Sequence, residues 1–130
     1  MAGERPAYVV VDEPGVLGFL DARPVFKGHV LLVPRDHVAV LPDVPAPDLA
    51  LLMGATQRTA RAVVDGLGAQ GSFVAVNNTV SQSVPHVHVH VVPRTKGDGL
   101  RGFFWPRTTY AGEAEATSYA VRLREALGSS

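Results

Sequence analysis

Short blocks of apolar residues, separated by turn-forming residues, run through the first third of the chain. Residues 8–11 and 16–20 are rich in valine, leucine and aromatic residues, a composition typical of β-strands. The intervening residues 12–15, Asp-Glu-Pro-Gly, predict a hairpin turn between them. Residues 29–33 form a third apolar block, which Pro34 closes. Because this block is apolar at successive positions, it predicts a strand covered on both faces, and therefore a central one.

Helical spacing appears in two later segments. Between residues 49 and 67, apolar residues recur at the i, i+3, i+4, i+7 spacing of a helix that packs one face on a core. Gly66 and Gly68 are expected to end this helix. Residues 113–127 resume a helical pattern with acidic residues near the start, and Gly128 follows as a stop.

Two further strands are predicted at residues 73–77 and 85–92, joined by the polar residues 78–83. We expect these two strands to pair antiparallel. About five strands, mainly antiparallel, with two α-helices define an α+β fold class. Since no internal repeat or low-complexity segment interrupts the pattern, residues 1–130 are expected to form a single domain.

Composition narrows the functional classes. Twelve basic residues balance twelve acidic ones, so the chain has no net charge to attract nucleic acid or an anionic membrane surface. The absence of cysteine excludes disulfides and cysteine-zinc sites. No apolar run reaches the ~18 residues of a membrane span, and the N-terminal residues lack the apolar stretch of a signal peptide. A cytoplasmic protein is therefore expected.

The strongest chemical signal is the stretch 86–92, His-Val-His-Val-His-Val-Val. On a strand this alternation sends three imidazoles to one face and the valines to the other. Burying the rings without partners costs about 1–3 kcal/mol for each unsatisfied group, so we expect them to line a cleft. A histidine in water has a pKa of about 6.5 and is mostly neutral at cytoplasmic pH, which suits a nucleophile.

Two other interpretations of the three histidines stay open at this point. They could be solvent-facing residues on an ordinary strand, or they could cluster around zinc. Zinc is the weaker alternative, because alternate residues on a flat strand lie ~6–7 Å apart, whereas ligand nitrogens must converge to ~2.0–2.1 Å from the metal.

The stretch 82–92, Gln-Ser-Val-Pro-His-Val-His-Val-His-Val-Val, resembles the signature of the histidine triad (HIT) family. Residues 19–24 and 28–37 are similar to the nucleoside-binding hairpin of that family and its following strand. The resemblance covers about residues 6–94 and implies a HIT-like fold, with residues 99–130 as a family-divergent C-terminal extension. Residues 92–98, which follow the triad, resemble the dinucleoside polyphosphate hydrolase branch of the family.

The resemblance implies a catalytic role for four histidines. The middle histidine of the triad, His88, is the implied nucleophile, forming a nucleotidyl-histidine that water then hydrolyses. His90 and His29 are implied to contact the phosphate. His86 is implied to support His88, through either its backbone carbonyl or its ring.

Four further residues are implied to bind the substrate. Asp21 matches the position that binds the ribose hydroxyls, and Asn77 matches a polar position facing the phosphate. Gln82 and Ser83 are implied to donate hydrogen bonds to phosphate oxygens or to the leaving group. Taken alone, Asp21 could instead cap a turn and Asn77 could end a strand. His37 is expected to be a solvated loop residue outside the site.

The expected function is hydrolysis that releases a nucleoside monophosphate, AMP in the first instance, from a dinucleoside polyphosphate, a nucleoside phosphoramidate or an adenylate. The intact third histidine, His90, favours hydrolysis, since relatives with glutamine there are typically transferases. The alternatives are a nucleotidyltransferase or phosphorylase using the same intermediate, and a non-catalytic nucleotide- or zinc-binding protein. No cofactor and no metal are expected, and the family resemblance implies a homodimer.

Two departures from the family pattern concern the substrate. The loop 78–81 is short, and Ser81 stands where a glycine often precedes the glutamine. The segment 99–107 carries Phe103, Phe104 and Trp105 and has no counterpart in the common motif. It could be an aromatic plug over the sheet, or a wall of the substrate cleft in which Arg101 or Arg107 meets phosphates.

Overall fold

The computed structural model describes residues 8–100 and 107–128. The chain divides into two compact units, residues 1–98 and 99–130. The strands of the first unit are β1 (Val9–Glu13), β2 (Val16–Leu20), β3 (Val30–Pro34), β4 (Gly71–Ala75) and β5 (Val89–Arg94). This unit also holds a 3-10 turn, Leu41–Asp43, and helix α1 (Ala46–Leu67), while the second unit holds helix α2 (Glu113–Gly128).

The five strands form one sheet in the order β1-β2-β3-β5-β4, and each neighbouring pair is antiparallel. This arrangement confirms the α+β fold class of five antiparallel strands with two helices. It also confirms the predicted pairing of the last two strands and the central place of β3, which is third of the five. The single-domain assignment stays a prediction.

The first hairpin has a tighter turn than the sequence indicated. Asp12 and Glu13 belong to β1 and pair with Leu17 and Val16, so the predicted four-residue connection is wrong and only two residues form the turn. Gly15 takes a φ of +87°, a left-handed conformation that side chains disfavour. Proline at the first turn position and a glycine with positive φ at the second are the pattern of a type II turn, and with this two-residue connection the strand pairing extends to Glu13.

Helix α1 packs on the sheet through a stripe that differs from the predicted one. Its buried residues are Leu52, Ala55, Thr56, Thr59 and Val63. The predicted face also included residues 53, 64 and 67, but these side chains are exposed, because the helix contacts β2, β3, β4 and β5 from one side only. The buried threonines satisfy their hydroxyls by donating to the carbonyls of residues 52 and 55, at 2.8 Å each.

The helix ends at Gly68 and not at Gly66. Gly68 has a φ of +76°, and its N–H donates to the carbonyl of Val64, 3.1 Å away, which closes the last turn. This is the left-handed cap that favours glycine. Gly66 lies within the last turn of α1, where no left-handed backbone is needed.

Strands β4 and β5 are both displaced from their predicted bounds. β4 begins at Gly71 rather than at residue 73, and β5 begins at Val89 rather than at residue 85. Pro93 lies inside β5, although proline cannot donate to a sheet. Pro93 is paired with Ser72 on the β4 side, but it lies beyond the β3 pairing of β5, which covers only Val89–Val91 and so needs no donor from Pro93.

Helix α2 confirms the helix predicted at residues 113–127 and has no buried residue in its own unit. Tyr119 contacts the Tyr110 ring at 5.8 Å between centroids, and the Arg122 guanidinium lies 4.4 Å from the Tyr119 centroid. Among the described residues, neither helix has the length and apolar character that a membrane crossing requires.

Candidate active site

The three histidines of the motif lie along the approach to β5, and only His90 is in the strand. The expectation that one strand carries all three is therefore wrong. The N–H of Val87 donates to the carbonyl of Val38 at 2.7 Å, outside the sheet, and pairing with β3 starts at Val89. The alternation nevertheless holds: the valines at 87, 89 and 91 are completely buried, and the three histidines are partly exposed.

The histidines share one cavity. Its volume is about 180 Å³, and it opens on the sheet face opposite the buried valines. The cavity is lined by Phe19, Asp21, Leu31, Val33, Ser83, Val84, His86, His88 and His90. Three of these residues, Phe19, Leu31 and Val33, form an apolar wall that was not predicted. Phe19 is two positions before Asp21, and Leu31 and Val33 are two and four positions after His29, so each lies on the same strand face as a predicted site residue. This period-two spacing is the sequence pattern that could have predicted the wall.

The tautomer of His88 follows from a contact with the main chain. Its Nδ1 lies 2.9 Å from the carbonyl oxygen of His86. Because a carbonyl only accepts, Nδ1 carries the proton and donates it. In the neutral ring Nε2 is then unprotonated and holds the lone pair that a nucleophile needs.

His86 supports His88 through its carbonyl and not through its ring. The ring turns the other way, and its Nε2–H donates to the carbonyl of Pro34 at 2.9 Å. The N–H of His86 donates to the carbonyl of Val84 at 2.8 Å. His86, whose carbonyl accepts from His88, is thus held by β3 through its ring and by a tight turn through its N–H.

His29 and His90 form a second histidine pair. Nε2 of His29 lies 3.0 Å from Nδ1 of His90, and the ring centroids are 5.2 Å apart. His29 immediately precedes β3 and is only 3% exposed, whereas His90 lines the cavity. The His90 ring also contacts the His88 ring at 5.0 Å between centroids, so His29 reaches the cavity through His90.

Burial keeps these two rings neutral. It is the largest cause that lowers the pKa of His29, and the neighbouring Asp21 carboxylate partly opposes it. Burial also lowers the pKa of His90, and the charges that His88 and His29 would carry lower it further. Neutral rings can each donate through one nitrogen and accept through the other.

Asp21 lies at the end of β2 and faces the same cavity. One of its carboxylate oxygens accepts from the N–H of Arg23 at 2.9 Å, which is the turn-capping contact considered from sequence. The other oxygen lies 3.7 Å from Nδ1 of His29, beyond hydrogen-bond distance. Turn capping therefore uses one oxygen and leaves the second at the cavity.

The loop before the triad brings only part of the predicted binding set to the cavity. Ser83 lines it, but Gln82 and Asn77 do not. The amide of Gln82 accepts from the N–H of Thr79 at 2.7 Å and donates to the carbonyl of Ala39 at 2.5 Å. Gln82 therefore braces the loop, in which Thr79 and Ser81 adopt positive φ values of 69° and 61°. Asn77 is exposed beyond the end of β4.

Two further predictions from the sequence concern His37 and the aromatic segment 99–107. His37 is exposed, as expected, but its ring packs edge-on against the His86 ring at 5.1 Å between centroids. The aromatic segment singled out above falls mostly on residues 101–106, which lie outside the described residues, so both of its interpretations stay predictions.

A possible metal cluster differs from the three-histidine zinc site considered above. One ligand atom from each of Asp21, His29 and His90 lies within 4.8 Å of the others. Both ring nitrogens of His29 and Nδ1 of His90 are already in hydrogen bonds, at 3.0–3.1 Å. A metal ion at this place has to displace at least one of them.

Comparison with known proteins identifies the class to which this fold and cavity belong. The HIT domain profile matches residues 2–97, and the chain therefore belongs to the HIT domain family. An uncharacterized HIT-like protein of Mycobacterium tuberculosis is 39% identical over 102 residues, which cover 77% of this chain and 71% of that protein. The family resemblance drawn from the histidine motif is thus confirmed.

Two relatives with named activities show that the family includes nucleotide hydrolases. The asymmetrical bis(5'-nucleosyl)-tetraphosphatase of Schizosaccharomyces pombe is 33% identical over 82 residues, which cover 62% of this chain and 45% of that protein. The adenosine 5'-monophosphoramidase of the same yeast is 28% identical over 106 residues, covering 80% and 77%.

Solved structures share the fold. A HIT family protein from Bacillus subtilis superposes with a TM-score of 0.81 at 29% identity, covering 95% of this chain and 90% of that one. A histidine triad protein from Mycobacterium smegmatis, described as zinc-bound, has a TM-score of 0.70 at 35% identity and covers 96% and 91%.

Proposed function

We propose that the protein is a nucleotide hydrolase that releases a nucleoside monophosphate through a nucleotidyl intermediate on His88. The observation that carries the proposal is the hydrogen bond from Nδ1 of His88 to the carbonyl of His86, 2.9 Å long. This bond leaves the Nε2 lone pair of His88 available for attack. The His88 ring lines a cavity of about 180 Å³. A neutral imidazole held in the correct tautomer is the arrangement that nucleophilic catalysis by histidine needs.

The chemistry consists of two displacements at the α-phosphorus. In the first, Nε2 of His88 forms a bond to phosphorus while the bond from phosphorus to the leaving group breaks, and the leaving group takes up a proton. In the second, water attacks phosphorus and gives up a proton to the solvent, which balances the proton taken up by the leaving group; the bond to Nε2 breaks, and the nucleoside monophosphate leaves. The positive charge on the ring of the intermediate is spread toward Nδ1, and the hydrogen bond that Nδ1–H donates to the His86 carbonyl stabilises it.

Polar groups around the cavity supply the donors for the phosphate oxygens. His90 and the Ser83 hydroxyl both line it, and both can donate to oxygens that gain charge in the transition state. Asp21 offers the ribose hydroxyls an oxygen that turn capping leaves available. Gln82 acts through the loop that it braces, and Asn77 belongs to the binding set only if its exposed end folds toward the phosphate when substrate binds.

A dinucleoside polyphosphate is the substrate that we favour. Residues 92–98 resemble that branch of the family, and an asymmetrical tetraphosphatase is among the relatives of this chain. Measuring AMP release from diadenosine tetraphosphate, adenosine phosphoramidate and lysyl adenylate ranks the leaving groups. Product formation that depends on inorganic phosphate would favour a nucleotidyltransferase instead.

His88→Ala tests the nucleophile. We expect this variant to fold and bind nucleotide but to lose turnover by several orders of magnitude, because no other nitrogen holds the same position. Mass spectrometry of the protein quenched during turnover should show a nucleotidyl adduct in the native protein and in His37→Ala, and none in His88→Ala. Full activity in His88→Ala would refute the assignment.

The zinc-binding alternative has support from the cluster of Asp21, His29 and His90 and from the zinc-bound relative. Metal analysis of the purified protein distinguishes it: stoichiometric zinc without turnover of any nucleotide would exclude the hydrolase.

A homodimer and a cytoplasmic location also stay proposals. Exposed apolar side chains on α1 and on the edge strand β4, including Met53, Val64 and Val74, are surface that a dimer interface would bury.

A further inference from the structure

The loop between β2 and β3 is closed on itself by main-chain hydrogen bonds. The N–H of Asp21 donates to the carbonyl of His29 at 2.9 Å, and the N–H of His29 donates to the carbonyl of Phe26 at 3.1 Å. Within this closed loop, the N–H of Val25 points at the His29 ring and lies 3.1 Å from Nδ1. The Val25 side chain is 53% exposed, so the contribution of this residue to the site is its peptide group.

That peptide N–H determines which nitrogen of His29 carries the proton. An N–H only donates, so Nδ1 must accept, and the proton of the neutral ring lies on Nε2. Nε2–H then donates to Nδ1 of His90, 3.0 Å away. Because this bond occupies the lone pair of His90 Nδ1, the proton of the neutral His90 ring lies on Nε2.

The reverse arrangement is chemically available but is opposed by Val25. If His29 carried its proton on Nδ1, its Nε2 would accept from Nδ1 of His90, and the remaining nitrogen of His90 would present a lone pair to an anionic phosphate. Asp21 would favour this arrangement, since its carboxylate lies 3.7 Å from His29 Nδ1. The Val25 N–H is the group that opposes it, because two N–H groups cannot share one hydrogen bond.

We propose that the main-chain N–H of Val25 is a positioning group that sets the tautomers of His29 and His90 so that His90 meets the phosphate as a donor. The inference rests on the proposed nucleotide hydrolysis. It gives the loop between β2 and β3 a role at the phosphate, which this loop influences through the rings of His29 and His90. Burial, which lowers the pKa of both histidines, supports it by keeping the rings neutral so that the tautomer matters.

Val25→Pro removes the N–H, and Val25→Ala is the matched control because it keeps the N–H and trims only an exposed side chain. We expect Val25→Pro to lower kcat on the order of 100-fold, as for the loss of one transition-state donor, with KM changed much less. Val25→Ala should keep both constants. Equal losses in the two variants, or an unchanged kcat in Val25→Pro, would overturn the proposal.

Long-range proton–nitrogen NMR of the 15N-labelled full chain reads the tautomers without any substrate. We expect unprotonated Nδ1 and protonated Nε2 for both His29 and His90 in the native protein, and a shift of the proton to His29 Nδ1 in Val25→Pro. A protonated His29 Nδ1 in the native protein refutes the inference even if Val25→Pro does not fold. A failure of nucleotide hydrolysis alone leaves the NMR result unaffected, so the two proposals fail separately.

Discussion

Acidification should destabilise the fold through His29, and the pKa of an unfolded histidine sets an upper limit on the effect. The His29 side chain is 3% exposed and hydrogen-bonded at both nitrogens, so the folded protein cannot accept a proton there without breaking a bond. Burial lowers the pKa of His29 in the folded state, whereas in the unfolded chain it returns to about 6.5. The unfolded chain then binds more protons as the pH falls below this value. The stabilising contribution is fully present above pH 6.5 and is lost as the pH falls toward the folded-state pKa.

Each pH unit in that window costs at most about 1.4 kcal/mol per histidine. The matched variant is His29→Gln, whose amide can accept from Val25 and donate to His90 but does not titrate. Urea unfolding at pH 7 and pH 5 measures the difference. We expect the native protein to lose more stability than the variant over this range, by at most about 2 kcal/mol, with His90 adding to the acid sensitivity of both. Identical pH dependence in the two proteins would refute the reasoning.

Three further predictions concern the core and the loop before the triad. Leu52→Ala should lower the free energy of unfolding by about 2–5 kcal/mol, because this side chain is completely buried between α1 and the sheet; urea denaturation measures it, and exposed Leu51→Ala, expected to cost much less, is the control. Ser83→Ala should reduce kcat/KM for nucleotide hydrolysis about tenfold or more, since the hydroxyl lines the cavity. Gln82→Ala should instead lower the stability of the native state by about 1 kcal/mol or more, because Gln82 binds Ala39 and Thr79 and not the cavity. Steady-state kinetics and urea titration of the two variants together separate these roles, and a pure kcat effect in Gln82→Ala would contradict the bracing role.

The element types were predictable from sequence, and their bounds were less so. The composition and spacing of apolar residues report which residues can be buried, and they predicted the five strands and two helices found in residues 8–100 and 107–128. It does not report where main-chain pairing begins. The start of β5 at Val89 depends on Val87 donating to Val38, a residue 49 positions earlier in the chain. Similarly, the buried stripe of α1 depends on the sheet against which the helix packs.

The site shows the same division. The alternation of histidine and valine at residues 86–91 correctly predicted one face of histidines and one of valines, because side-chain direction alternates in any extended segment. Gln82 matched a donor position by its place next to the motif, yet its amide turns to Ala39. Whether the Gln82 amide contacts Ala39 or the substrate depends on which of them lies within hydrogen-bond distance, and the sequence does not give that distance.

The amino-acid sequence specifies the chemistry available to this protein: histidines at alternate positions, a carboxylate at the end of a strand, no cysteine, and the pattern of an α+β fold. The protonation pattern of those histidines depends on contacts that form only in the folded chain. The groups that set it are the carbonyls of Pro34 and His86 and the N–H of Val25. Every residue except proline carries both of these main-chain groups, so nothing in the sequence marks these ones. Folding selects them by bringing particular peptides within hydrogen-bond distance of particular rings.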